Sequence, residues 1–499
     1  MAWQEIPIIG FAPDLPRDTP GTFDVSVTQA AISPSTSGFT NAPACDVVGA
    51  TATDTAPTGT GLVYKVDGTK RRFFGTIAKI YEYDGVTTNT DRSGAAYAAA
   101  SPQTWSFCQV GDVTLATNKG NIIQQCTTGN FSALGAAPVP KATIIMTVGP
   151  PSSYQVMALD YDDGTNNYKD GWFCSALGDY TNWTTSLATQ CANGRLLEPT
   201  GPFTAGIGYR DGCLAFKANA VYEGTYLGDT VNGVIWTWRR VANGIGCMGP
   251  KACCVVGDVA YFADNHGIWF YDGSYPKQIA APVHKWWSNQ LTVGKTVSIP
   301  VRMWFSAITQ NIYLSPSSGQ WLQFNIHTNK CTYCAIGSGN GALLDMIDPD
   351  SGSAGAFYGY GTSAQGSANP ITRLEYQNDA TGANYITATF PLWFIGTENQ
   401  KLQLDRIFPI YDYLNTISTP GGSTAISGTA TLKAGLTMPT VAATSTTYQM
   451  TQTADTAGIG RFDINYSANY ILPTLNITAE FVFSRIAVSM SDAGVSGKR

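Results

Sequence analysis

The sequence predicts an all-β fold: a β-propeller of six or seven blades followed by a second, β-sandwich-like domain. Three observations carry this. The composition is poor in charge and rich in turn and ring residues, with 13% charged residues, 52 Gly, 25 Tyr and 12 Trp. A strand-turn-strand unit recurs along most of the chain. After residue 385 that unit stops and a different strand pattern, joined by Thr/Ser/Gly-rich linkers, takes over.

Residues 1–55 are punctuated by Pro13, Pro16, Pro20, Gly21, Pro34, Gly38 and Pro43. Proline removes a backbone donor and restricts its predecessor, so this stretch reads as an extended N-terminal arm. Residues 56–384 carry the repeat. Its clearest copy is Val255–Gly273, in which an alternating run from Val259 meets the polar turn Asp264-Asn265-His266-Gly267 and a second run, Ile268–Tyr271. β-Branched and aromatic runs bounded by Asn, Asp and Gly are the hairpin pattern. In GDVTLATNKGNI, RDGCLAFKANAV and GDVAYFADNHGI, an Asp (Asp112, Asp211, Asp258) precedes a branched aliphatic residue (Ile122, Val221, Ile268) by ten positions.

With the looser copies, the anchors are Ile80, Ile122, Trp172, Val221, Ile268, Leu322 and Leu374, separated by 42, 50, 49, 47, 54 and 52 residues. Several short strands per period of this length mark a propeller blade. A lone four-stranded blade leaves both faces wet, and stacking blades around an axis buries them. A sandwich of similar hairpins is the competing reading. Ser351–Asn369, rich in Gly, Ser and Ala, reads as a long loop. Residues 385–490 form the second domain, with strands expected at Ile386–Trp393, Leu402–Tyr411, Thr429–Lys433, Tyr448–Thr453, Phe462–Tyr466 and Ile477–Ser489. Residues 491–499 read as a flexible tail.

The net charge is −6, which argues against a surface built to grip phosphates, since that affinity comes from Lys and Arg. Eleven cysteines, without the spacing of a disulfide framework, read as reduced thiols buried as small hydrophobes. The N-terminus lacks a basic start leading into an apolar core, and no apolar run is long enough to span a bilayer. A soluble protein made in a cytoplasm is expected.

Each chemical motif has a plainer account. His266, His284 and His327 have no partner at metal spacing and read as turn or packing residues. Cys331-Thr332-Tyr333-Cys334 lacks the second pair a structural zinc site needs, and Cys253-Cys254 does not supply it. Asp160, Asp162 and Asp163 resemble a cation loop, but the Glu at position 12 of an EF-hand is missing. Lys70-Arg71-Arg72 could touch a partner or nucleic acid, or keep a sheet edge charged against strand addition. Trp236, Trp238, Trp286 and Trp287 could stack on sugar rings or fill the space between blades. No catalytic, cofactor-binding or metal-binding residue is assigned, and an enzyme is not expected.

Several stretches together resemble the β-propeller tail hub or nozzle proteins of short-tailed (podovirus) bacteriophages. They are Ile9-Gly10-Phe11-Ala12-Pro13-Asp14 with Thr19-Pro20-Gly21, Leu62–Tyr83, Trp105-Ser106-Phe107 running into Gly111-Asp112 and Leu115–Asn118, Trp172–Trp183, Gly244–Cys247, and Tyr261–Gly273. The resemblance covers roughly residues 5–330 and fades after 385. It implies a structural virion protein that self-associates in a ring, commonly a homohexamer, below the portal and adaptor. Such a ring meets adaptor or portal-side proteins and tail fibre or spike proteins, retains packaged DNA, and lets it pass at infection. It implies no cofactor and no catalytic residue. The alternative function is a carbohydrate-binding or receptor-binding propeller of the tail.

Overall fold

The computed structural model describes residues 2–351 except 17–18, 20, 24–31, 42–43, 48–52, 56, 98–103, 136–137, 150–152, 280–281, 293–300, 318–319 and 336–341. Beyond 351 it describes 356–362, 371–375, 387–391, 400–415, 417–419, 422–424, 427–435, 444–449, 461–468, 470–478 and 480–495. Seven four-stranded antiparallel sheets follow one another as up-and-down meanders. Their innermost strands are Gly59–Tyr64, Ser106–Val110, Lys141–Val148, Phe203–Tyr209, Cys253–Val256, Arg302–Ser306 and Ala342–Ser351. Each innermost strand lies against the next, and Ala342–Ser351 lies against Gly59–Tyr64, so the series closes into a ring. This is a β-propeller.

The recurring anchors find their physical meaning here. Ile80, Trp172, Val221, Ile268, Leu322 and Leu374 all stand in the third strand of their sheet. Ile122 lies just before its third strand, and its neighbour Ile123 takes the buried place. A third strand is inside the sheet and sandwiched between two blades, so it needs a large apolar side chain once per period. The repeated Asp marks the turn between first and second strands. The residue before it, Gly111, Arg210 or Gly257, has φ of 54°, 52° or 57°. That left-handed geometry fits the tight hairpin turns that follow strand twist.

The seventh sheet takes only three strands from its own stretch, Ala342–Ser351, Ala356–Thr362 and Ile371–Glu375. Its outer strand is Ala44–Val47 from the N-terminus, paired Thr372↔Val47 through Glu375↔Ala44. The expected boundary at residue 55 therefore moves, because part of the arm belongs to the propeller. The expected loop Ser351–Asn369 also contains a strand, Ala356–Thr362.

The second domain has two larger sheets and a short hairpin that pairs Ile417–Thr419 with Gly422–Thr424. Strands Gln400–Asn415 and Glu480–Val495, 16 residues each, form the spine of one, with Phe462–Ala468 beside them. The other runs Thr387–Pro391, Tyr470–Thr478, Ser427–Gly435, Thr444–Gln449. Leu404, Ile407, Phe462, Ile486 and Val488 of the first meet Ala430, Leu432, Ile471 and Leu475 of the second in the core. The expected strand Ile477–Ser489 is two strands. The expected tail from 491 is still strand through Val495, which pairs with Gln400; 496–499 lie outside the described residues. The arm joins this domain too: Ala2–Pro7 and Phe39–Asn41 both pair with Glu480–Val495.

Candidate functional site: the closing seam and the propeller interior

The basic run lies on the second strand of the first sheet, Lys70–Gly75, between two neighbours rather than at an edge. Side chains alternate across a strand, so the run splits between two blades. Lys70 and Arg72 reach the buried Asp348 of the seventh sheet at 3.4 and 2.9 Å. Arg71 faces the second sheet, donating to the Thr127 carbonyl at 2.9 Å, and forms a two-pronged pair with Glu82 at 2.6 and 3.0 Å. Arg92 donates to the same carboxylate at 2.6 Å. The run is therefore not a solvated edge: Lys70 and Arg72 join the first blade to the seventh, and Arg71 joins it to the second.

Burial alone would raise the Glu82 pKa; the two guanidiniums override it and hold the carboxyl below its usual range. Arg71 is pulled down by burial and raised further by Glu82.

A second cluster stands where the ring closes. Arg302 of the sixth sheet pairs with Asp345 of the seventh, both buried. Thr60 of the first sheet donates to Asp345 at 3.2 Å and to the Met346 carbonyl at 2.9 Å. Lys251, leading into the fifth sheet, donates to the Thr60 carbonyl at 2.7 Å. Its amine thus reaches from the fifth sheet to the first across the ring interior. Burial lowers its pKa, with Asp345 opposing and Arg302 adding to the effect. Beside it lies a cavity of about 370 Å³ lined by Phe107, Ile144, Met146, Ile207 and Cys253 among others.

The remaining sequence candidates are structural. Asp264 is buried, and its carboxylate accepts from the His266 and Gly267 amides and from Trp269 Nε1, all at 2.8–2.9 Å. His266 itself is 74% exposed beside it. His284 accepts from the Ile268 amide on Nδ1 and donates from Nε2 to the Ile279 carbonyl at 2.8 Å. His327 Nε2 meets Gln310 at 3.1 Å. Asp160 pairs with Lys119 at 2.6 Å, while Asp162 and Asp163 cap turn amides. Cys331-Thr332-Tyr333-Cys334 lies within the strand Cys331–Ala335 and does not open a helix. Cys108, Cys174, Cys191 and Cys254 are thiols without disulfides. Burial pushes each up to about 12, so they stay protonated and inert. Among the described residues no group of three or more His, Cys, Asp or Glu is arranged for a metal.

Of the four tryptophans that could have served as sugar platforms, Trp236 and Trp287 are buried and Trp238 and Trp286 are half-buried against other rings. Trp287 is fully buried and donates to the Asp264 carbonyl at 2.8 Å. Trp236 is buried and donates to Gln155 at 2.8 Å, and Trp238 lies against Trp172. Trp286 packs edge-on against Phe11 and Tyr333, with centroids 5.0 and 4.7 Å away.

Sequence reading missed the element that holds those rings, the helix His284–Thr292. Its first amides find their partner in the distant arm: Asp14 accepts from Lys285 at 2.8 Å and from Trp286 at 2.9 Å. Helix starts expose unpaired donors that a carboxylate satisfies. The signal was present in Pro13-Asp14, but its partner lies about 270 residues away.

No family profile matches the chain, and no curated protein matches it. Solved structures that it is similar to include YCF48 bound to D1 peptide, at 12% identity and a TM-score of 0.40, covering 69% of this chain and 99% of that one. U3-55K is 11% identical, with a TM-score of 0.40 and coverage of 67% and 99%. The computationally designed Ika8 protein is 8% identical, with a TM-score of 0.37 and coverage of 66% and 100%. At these scores the propeller rests on the chain's own sheet order and ring closure, and the neighbours add nothing about function.

Proposed function

We propose that this chain is a structural virion protein of a short-tailed phage, one subunit of a hub or nozzle ring that extends the DNA channel below the portal and adaptor. The observation that carries the reading is the path of the first 47 residues. Strands Ala2–Pro7 and Phe39–Asn41 are built into the sandwich, and Ala44–Val47 closes the propeller. Separating the domains means unzipping a sheet in each, a construction suited to carrying load during DNA retention and ejection.

The channel runs between copies rather than through the propeller axis. The ring interior, which Lys251 spans to reach the Thr60 carbonyl at 2.7 Å, is too narrow in this reading for duplex DNA, whose major groove alone is about 12 Å wide. The chain's net charge of −6 suits a wall past which a polyanion slides without sticking. Ring order six, fibre or spike proteins and adaptor-side proteins as neighbours, and residence in the virion tail belong to the same proposal.

The test is light scattering on the purified chain together with imaging of virions labelled by an antibody to it. A closed ring in solution and label at the tail are expected. A protein that stays monomeric and is absent from particles overturns the reading.

A further inference from the structure

The outer strands of the seven propeller sheets are unequal. Most are two to five residues long, such as Asn89–Asp91, Ser132–Ala133 and Lys277–Gln278. The fourth sheet instead ends in a hairpin of two ten-residue strands, Ala220–Asp229 and Val234–Asn243. Two apolar side chains are exposed at and beside its tip: Val231 is 92% and Leu227 54% accessible. Leu187, 50% exposed on the third sheet, stands 4.0 Å from where a Cβ on Gly233 would lie and widens the knob. The turn at the tip is tied by Asp229, which accepts from the Val231 and Asn232 amides at 3.0 and 2.9 Å and from Asn232 Nδ2 at 2.6 Å.

A recess of about 590 Å³ lies at the second sheet, between the Gly94–Tyr97 connection and Lys141 at the start of the third sheet. Ala96, Tyr97, Gly120, Ile122 and Phe131 give it an apolar floor, and Lys141 stands at its rim. Lys141 has no ion pair among the described residues. The recess is built by a turn between second and third strands and by the connection between sheets. The knob is a turn between third and fourth strands. In a meander these two kinds of turn are at opposite ends of the strands, so knob and recess are on opposite faces of the propeller.

We propose that the knob of one copy docks in the recess of a second copy, with Asp229 meeting Lys141 at the rim. The contact joins unlike surfaces, so it propagates head to tail and generates a ring when the rotation closes. Apolar anchors in a pocket with a charged rim form the usual energetic centre of an interface. This inference rests on the ring reading above and names the surfaces that make the ring.

The test is light scattering of the full chain as wild type, Val231→Asp, Lys141→Glu and Lys141→Met, each checked for an unchanged melting transition. Association weakened roughly tenfold or more by Val231→Asp and by Lys141→Glu, and less by Lys141→Met, is expected. Assembled wild type whose variants assemble equally well overturns this contact and leaves the ring reading standing. A monomeric wild type overturns this contact, and together with absence from particles it overturns the ring reading as well. Loss of binding to another tail protein, with self-association intact, assigns the knob to that protein and overturns the proposal.

Discussion

At the residue scale, some ion pairs tie one blade to the next and others tie strands within a blade. Glu82 shows the second kind, since Arg71 and Arg92 belong to its own blade. It receives Arg71 and Arg92 at 2.6 Å each, and its side chain is only 14% exposed. Its folded pKa lies below the usual value despite burial. A carboxyl depressed in the fold contributes stability that is fully present above its unfolded pKa, about 4.3, and is lost as pH falls through the lower folded value. Glu82→Gln is therefore expected to cost about 3 kcal/mol at neutral pH, since it leaves two guanidiniums partly unpaired. The cost should shrink as the pH drops below about 4, where the wild-type carboxyl also protonates. Denaturant titrations of both proteins at several pH values check this; a pH-independent difference would remove the ion pair from the explanation.

At the element scale, the helix His284–Thr292 is a local structure stabilised from far away. No acidic residue stands in its own first turn. Asp14 supplies the carboxylate, and Phe11 wedges against Trp286 and Tyr333. Asp14→Ala is expected to cost about 1 kcal/mol, the usual worth of a cap. It should also speed amide hydrogen exchange in the helix and in the arm around Ile9–Phe11 together. Faster exchange in the helix alone would mean that the arm is held by its other contacts, including the Phe11 amide to the Cys331 carbonyl at 2.8 Å. The same scale explains what was legible in the sequence. Third strands repeat their large apolar residue because two neighbouring blades demand it, so the anchors from Ile80 to Leu374 could be read without coordinates. Arg72 and Asp14 could not be placed, because their partners Asp348 and the helix amides are fixed by ring closure and by the path of the arm, while Arg71 meets Glu82 through the register of its own hairpin. Trp286 and Trp287 suggested an exposed platform only because the helix that turns them inward carries no start signal of its own.

At the scale of the whole molecule, the closure of the propeller and the attachment of the second domain depend on one segment. The ring closes through Ala44–Val47, and residues 42–43 alone separate that strand from Phe39–Asn41 in the sandwich sheet. The seam on the other side of the seventh sheet is tied by Lys70 and Arg72 to Asp348 and by Thr60 to Asp345. Removing residues 1–47 should therefore uncouple what now unfolds together. The seventh sheet would lose its outer strand and leave Ile371–Glu375 as a bare edge. The sandwich would lose Ala2–Pro7, Ile32–Pro34 and Phe39–Asn41 from its sheet. Scanning calorimetry should show one main transition in the intact chain and two lower, separated ones in the truncated chain. Supplying residues 1–47 as a separate peptide should raise both transitions together, because the same segment pairs with both domains. If the peptide raises only one, the arm is a closure strand for that domain alone, and the other is held by side-chain contacts such as Ser33 with Gln323 and Asn311 with the Pro34 carbonyl at 2.8 Å.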